Sequence, residues 1–402
     1  MHVLRGLLGV GAILALLWIL SKDRRSIDWR LVASALGLHF LLAVLCLETP
    51  WGSWVFRELA AAVQRLLEFS YEGSSFVFGS LGSKDAPEAF LAFRALPIVI
   101  YFAALTSILY HFGVLQVAVY GVSRALGFFL RVSGAESMVA AANIFVGMTE
   151  APLLVRPYIE GMTRSELAAV MTAGFATIAG TVMGIYMTFV GPAYAPYILA
   201  ASVLAAPATF VTAKILVPET AEPATGAKAR LSFERSSRNA IDAVALGVRD
   251  GLRLALNIAA MLVAFYALVA LVNWPLGALL GTSLQELFGW ALSPFAWCLG
   301  VDWSDSKTVG GLLGTKIALN EFVGYQSLKD IIAAGALGDR SARIATFALC
   351  GFANFGSIGI TLGGLGGLAP SRRAELAELA LPAMAAGALS SCLTAAVAGM
   401  FV

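Results

Sequence analysis

Apolar residues come in long runs separated by short polar stretches. A helix needs about 20 apolar residues to cross a bilayer. Runs near that length lie at roughly 4–20, 31–48, 94–115, 165–190, 194–216, 252–274, 343–362 and 375–401. The pattern predicts an all-α integral membrane protein with about eight transmembrane helices. Ser21 to Arg30 holds Lys22, Arg24, Arg25 and Arg30. Short basic loops stay in the cytoplasm, so the N-terminus is expected outside. The seven basic residues from Lys214 to Arg253, and the pair Arg372 and Arg373, then also fall inside. Eight crossings return the C-terminus to the outer side.

Three segments break this pattern. Over 51–70, Arg57, Glu58, Gln64, Arg65 and Glu68 share one helical side, and Val55, Leu59, Val63, Leu66 and Phe69 the other. Thr49 is placed to cap the start, with Pro50 at the first helical position. This reads as an amphipathic helix lying in the outer interface; packing against soluble parts is the other reading of the same wheel. The segments at about 133–160 and 293–328 mix Gly, Asn, Thr, Ser and Glu into apolar sequence. Polar backbone at membrane depth survives only inside protein or along a cavity, so both are expected to be re-entrant hairpins.

Composition sharpens the picture. Of 402 residues, 59% are hydrophobic and 13% charged, against about a quarter charged in soluble domains. Lipid must cover much of the surface. The net charge of +2 points to no nucleic-acid partner. Four dispersed cysteines (Cys46, Cys298, Cys350, Cys392) read as reduced packing residues, and three histidines make a histidine-ligated zinc site a poor fit. The apolar N-terminus lacks a small-residue cleavage site and reads as a retained first helix rather than a signal peptide.

The two halves echo each other. Glu150 and Glu321 each sit in a hairpin, 171 residues apart. Each hairpin precedes a helix with a small, polar middle, FATIAGTVMG (175–184) and GFANFGSIGITLGG (351–364), in which Thr181 and Ser357 lie 176 residues apart. Such an inverted repeat places a substrate site at the repeat interface near the midplane. A carboxylate in an apolar hairpin is a functional candidate by default. Glu150 lies in NIFVGMTEAPLLVRPY (143–158), where structural pairing with Arg156 is the alternative. Thr163 to Glu166 reads as a capping box that opens the next helix and closes the hairpin near Met162. Glu321 lies in GLLGTKIALNEFVGYQSL (311–328), with Asn320 and Lys316 close by. Asn354 and Ser357, three residues apart, share a helical face. A carboxylate, an amide and a hydroxyl suit vicinal hydroxyls such as those of a ribose; interhelical hydrogen bonding is the alternative for Ser357 taken alone. The glycines at 351–367 serve either close packing or an unwound helix that offers carbonyls to a cation.

Together NIFVGMTEAPLLVRPY, FATIAGTVMG, GTKIALNEFVGYQSL and CGFANFGSIGI resemble the concentrative nucleoside transporter family, from the interfacial helix to the C-terminus. The resemblance implies a sodium-coupled nucleoside symporter of the bacterial inner membrane. It implies a homotrimer whose transport domains slide against a scaffold as elevators, and no organic cofactor. It implies that Gly147, Met148, Thr149, Glu150 and Val182 line the base side, that Glu321, Asn354 and Ser357 hold the ribose, and that Phe352 packs near the base. Oxygens of Asn143, Val146, Thr177 and Ile178 would hold sodium. Proton coupling through Glu150 or Glu321 is the alternative. Many relatives carry Gln where this chain has Met148; purine-preferring ones resemble it at Gly147, Met148, Thr181 and Val182. A soft thioether suits a two-ring base, so a purine preference is expected; the other reading is that Met148 only fills space. The resulting organisation is a mainly scaffold segment 1–132, a first hairpin and repeat 133–216, a connecting segment 217–292, and a second hairpin and repeat 293–402. An intramembrane hydrolase is disfavoured, because Ser357 has no histidine partner in sequence reach and no HExxH is present. A non-transporting nucleoside sensor is the remaining rival.

Overall fold

The computed structural model describes residues 2–84, 91–225 and 237–402. The basic residues Lys228, Arg230 and Arg235 of the expected cytoplasmic loop lie outside them. The described residues are helical throughout: α1 (His2–Leu20), α2 (Trp29–Ala43), α3 (Pro50–Phe78), α4 (Leu91–His111), α5 (Val114–Leu130), α6 (Gly134–Ala142), α7 (Arg156–Ile159), α8 (Arg164–Ala176), α9 (Gly180–Val190), α10 (Ala195–Leu216), α11 (Ala240–Leu280), α12 (Leu284–Cys298), α13 (Trp303–Ala318), α14 (Glu321–Ala333), α15 (Asp339–Leu349), α16 (Phe355–Leu368) and α17 (Arg373–Ala398).

Side-chain caps set many of the starts. Asp28 accepts from the amides of Arg30 and Leu31 to open α2. Thr49 caps α3 through the Gly52 amide at 3.0 Å, followed by Pro50. Reciprocal capping boxes, Ser133 with Glu136 and Thr163 with Glu166, open α6 and α8. Each such cap satisfies amides that a helix start would otherwise leave without partners.

Burial separates two layers. In the hydrophobic windows of α10 and of the α8–α9 segment, 89% of residues are buried, against 17% in α11. The inner helices α8, α10 and α17 pack on one another; α1 and α2 flank them, and α4 packs along α11. Gly247 and Gly251, one turn apart on α11, let its backbone approach Ile100, Ala103 and Ala104 of α4, the small-residue crossing common in membranes. Outward faces stay apolar, including Val263, Leu271, Trp274 and Leu279 of α11 and Trp51, Trp54 and Phe69 of α3.

The structure corrects three boundaries. By length and composition, seven helices among the described residues are long and apolar enough to cross a membrane, and Val114–Leu130 and Phe355–Leu368 are shorter apolar helices. The expected span at 343–362 is two half-helices, α15 and α16, separated at Cys350–Asn354. Gly351 sits there at φ 131°, and the Phe352 amide leaves its own helix to donate to the Thr177 carbonyl at 3.2 Å. The second hairpin is α13 and α14, with its turn at Leu319–Asn320, rather than 293–328. Gly300, at φ 103°, ends the preceding chain reversal and sets α12 apart as its own helix. The amphipathic helix runs on to Phe78, where Gly79 at φ 61° ends it.

Candidate functional site

Two interrupted helices cross at the centre. The first, α8 then α9, breaks at Thr177–Ala179; the second, α15 then α16, breaks at Cys350–Asn354. The crossing is tight. A side chain on Gly351 would press on the carbonyls of Phe175 and Ala176. The Phe352 amide bond to Thr177 ties the breaks together.

Glu321 begins α14, where Asn320 caps the helix by accepting from the Val323 amide at 2.9 Å. Its carboxylate is buried and fully gripped. Oε1 accepts from the Tyr186 hydroxyl at 2.7 Å, and Oε2 from Asn354 Nδ2 at 3.0 Å. Asn354 in turn caps α16, its Oδ1 accepting from the Ser357 amide at 2.9 Å. Asn354, Ser357, Thr361 and Gly364 follow at three- and four-residue steps, so they share one face of α16. That face joins the two hairpins. Its upper end meets Glu321; Thr361 donates to the Met148 sulfur at 3.4 Å, and Gly364 lies against Thr149.

The first-hairpin residues are less uniform. Met148 is buried, while Gly147 and Thr149 are half-buried. Glu150 has dense protein around it, yet part of its side chain is exposed at the surface. Its carboxylate folds back over Gly147. No ion pair joins it to Arg156, which is also exposed, so the pairing alternative is not formed. Val182 is buried, and Thr181 and Phe352 are half-buried beside the crossing.

The residues expected at the ion lie on the first hairpin and at the first break, two segments that touch at Phe145–Gly180 and at Gly147–Ala179. Asn143 ends α6, fully buried; its Nδ2 donates to the Val139 carbonyl at 3.0 Å. Its Oδ1 is buried and has no hydrogen-bond partner among the described residues. Buried polar atoms are almost always paired, so an unpaired amide oxygen is an acceptor kept for something else. Thr177 donates its hydroxyl to the Ala173 carbonyl at 2.8 Å, leaving lone pairs free. The Phe145 carbonyl, two residues from Asn143, lies on Gly180 at the start of α9. This donor set is all oxygen, as a hard monovalent cation requires.

Sequence reasoning missed Tyr186 and the burial of Lys214 and Lys316. No local pattern marks Tyr186, whose partner is 135 positions away. Lys316 does not turn to Glu321. It is fully buried and donates to the Ala348 carbonyl at 2.9 Å and the Ser391 hydroxyl at 2.8 Å. Lys214 meets Glu136 at 2.7 Å. A cavity of about 840 Å³ opens between α3, α4 and α11 on one side and α9 and α14 on the other; Arg94, Tyr266, Phe322 and Lys329 help line it.

The sequence matches three models in turn: the Na+ dependent nucleoside transporter N-terminus at residues 8–81, a nucleoside recognition (Gate) domain at 92–193, and the Na+ dependent nucleoside transporter C-terminus at 197–399. The chain belongs to the concentrative nucleoside transporter family. It is 38% identical to Nucleoside permease NupC of Helicobacter pylori, over 98% of this chain and 96% of that one. It is 38% identical to Sodium/nucleoside cotransporter 2 of Rattus norvegicus, over 86% of this chain and 55% of that longer protein. Among solved structures it is similar to CNTnw in an inward-facing substrate-bound state, with 41% identity, coverage of 100% and 98%, and a TM-score of 0.94. A variant of CNTnw in an outward-facing state also matches, with 40% identity, coverage of 100% and 98%, and a TM-score of 0.93. This concentrative nucleoside transporter is therefore a multi-pass membrane protein and a carrier, not an enzyme.

Proposed function

We propose that the chain imports nucleosides with sodium, preferring purine nucleosides. The observation that carries the substrate side is the Glu321–Asn354 pair, a carboxylate and an amide held together in the buried crossing of two broken helices. Each oxygen of a carboxylate has two lone pairs, so after Tyr186 and Asn354 both oxygens can still accept from ribose hydroxyls. Ser357 and Phe352 stand beside them, and Gly147, Met148, Thr149, Glu150, Thr181 and Val182 form the base side. The unpartnered Asn143 oxygen supports a sodium ion there, with Thr177 adding a hydroxyl oxygen and Val146 and Ile178 backbone carbonyls. The ion would supply positive charge that fastens the first hairpin to the first break.

Movement follows from the layers. The hairpins, broken helices, α10 and α17 form the moving body, and α3, α4 and α11 the fixed one. The cavity between α3, α4, α11 and α9, α14 gives room for an elevator-type shift. The hairpins re-enter the membrane without crossing it. Exposed apolar faces of α3 and α11 suit lipid and a homotrimer interface. The membrane is the bacterial inner membrane, with both termini on the outer side.

The test is counterflow of labelled adenosine and uridine into proteoliposomes, with and without a sodium gradient. Sodium-driven accumulation, stronger for adenosine, is expected. Equal uptake in choline under a proton gradient would replace sodium with a proton. Nucleoside binding with no net uptake would leave a sensor.

A further inference from the structure

Building on the ribose and sodium reading above, we propose that Tyr186 is the positioning residue through which sodium binding sets the geometry of the ribose carboxylate. Among the described residues, Glu321 is held by one side chain from each repeat: Asn354 from α16 and Tyr186 from α9. A carboxylate fixed at both oxygens has a fixed plane, and its remaining lone pairs point at fixed places. Two adjacent hydroxyls can satisfy them only if that plane is right. A carboxylate held at one oxygen rotates and loses this match.

Tyr186 is built as an immobile donor. Its ring is fully buried, stacked on Tyr325 at 4.7 Å with an interplanar angle of 18°, and edge-on to Phe322 at 6.1 Å. Tyr325 is itself pinned, its hydroxyl donating to the Thr346 carbonyl at 2.8 Å. The Tyr186 hydroxyl therefore moves only if α9 moves. The first residues of α9 sit against the Phe145 carbonyl of the first hairpin. Asn143 on the hairpin side, and Thr177 and Ile178 on the helix side, lie within three residues of that contact. A cation that draws them together fixes the origin of α9, and a short continuous helix carries the setting to Tyr186. Coupling between two sites needs an element whose position both sites bias; α9 is that element, and Tyr186 is where it touches Glu321.

The signature is selective. Sodium raises affinity for ligands in proportion to what Glu321 contributes, and so acts through the ribose hydroxyls. In the native full-length protein, sodium should raise adenosine affinity about tenfold more than 2′,3′-dideoxyadenosine affinity, the size of one charge-assisted hydrogen bond. Tyr186→Phe keeps the ring and its stacking but removes the donor. It should abolish most of that difference while leaving unchanged the sodium concentration that half-maximally raises the melting temperature. Binding is read on purified protein in nanodiscs, in sodium and in choline. Sodium lifting both ligands equally in the native protein overturns the proposal without any variant. So does a folded Tyr186→Phe protein that keeps the native difference. Glu321→Gln separates the two levels of the argument. If it leaves adenosine and dideoxyadenosine discrimination intact, the ribose reading itself falls, and this inference with it. If it removes that discrimination while sodium still lifts both ligands alike in the native protein, only the role of Tyr186 falls.

Discussion

The two repeats have the same order of parts but hold their hairpins in different ways. Each runs long helix, short helix, hairpin, broken helix, full helix: α4 to α10, then α11 to α17. In the first, the hairpin is anchored at its base by an ion pair. Lys214 of α10 meets Glu136 of α6 at 2.7 Å and donates to Ser165 at 3.0 Å, with half-buried Glu219 at 3.5 Å. In the second, the lysine is on the hairpin itself, near its tip. Lys316 reaches only the Ala348 carbonyl and the Ser391 hydroxyl of α15 and α17. The polar atoms differ too. Among the described residues Asn143 leaves Oδ1 without a partner, whereas both ends of the Asn354 amide are used, on Ser357 and Glu321. The first hairpin therefore keeps an oxygen in reserve; the second brings a cation and spends its amide on shaping a carboxylate. Pseudo-symmetry of backbone does not impose symmetry of chemistry.

The anchors give the sharpest way to break this comparison. Lys214→Met strands the Glu136 carboxylate in a dry site, and breaking a buried pair costs about 3–5 kcal/mol. Lys316→Met strands the uncharged Ala348 carbonyl, at about 1–3 kcal/mol, while the Ser391 hydroxyl still donates to the Gly387 carbonyl. Both variants keep a side chain of similar length. Thermal melting of purified protein in detergent should rank them in that order. Equal losses would mean that the two lysines do the same work and the contrast between the repeats is only one of sequence.

A smaller effect tests the ion proposed beside the reserved oxygen. Thr177→Val removes a hydroxyl beside the first break while keeping shape. The sodium concentration for half-maximal uptake should rise, by about tenfold or less for one lost ligand among several. Adenosine affinity at saturating sodium should change little. A change in adenosine affinity alone, with the sodium dependence intact, would move the ion elsewhere.

Much of this was legible in the chain. The apolar runs, the amphipathic helix, the capping box at Thr163–Glu166 and the Thr49 cap follow from local spacing, and local physics set them. The breaks were legible as small, polar helix middles, yet the one at Cys350–Asn354 reads on the page as an unbroken span. It opens because the Phe352 amide finds the Thr177 carbonyl, a partner from the other repeat. The limits of the second hairpin depended on where the chain turns, at Gly300 and at Leu319–Asn320. Tyr186 and Lys214 were invisible for the same reason: their roles come from partners 135 and 78 positions away.

The smallest expected effect concerns the base side. Met148 is turned inward, its sulfur accepting from Thr361 on the same α16 face that carries Asn354 and Ser357. A thioether asks little of a neighbouring base: it offers polarizable contact and no strong hydrogen bond. A glutamine there would lose water on burial and would favour bases that return its hydrogen bonds. Polar matching of this kind discriminates more sharply than a methylene-sized fit. With Met148, a pyrimidine gains no partner, while a two-ring base gains contact area. Met148→Gln should therefore improve uridine and cytidine competition against labelled adenosine by about tenfold at most, the value of one net hydrogen bond. Thr361 sets the ceiling, because its hydroxyl can also donate to the new amide oxygen and hold it away from the base. Thr361→Val added to Met148→Gln should then enlarge the shift. Cytidine competing as well as adenosine in the native protein would defeat the preference and leave Met148 as packing between the first hairpin and α16.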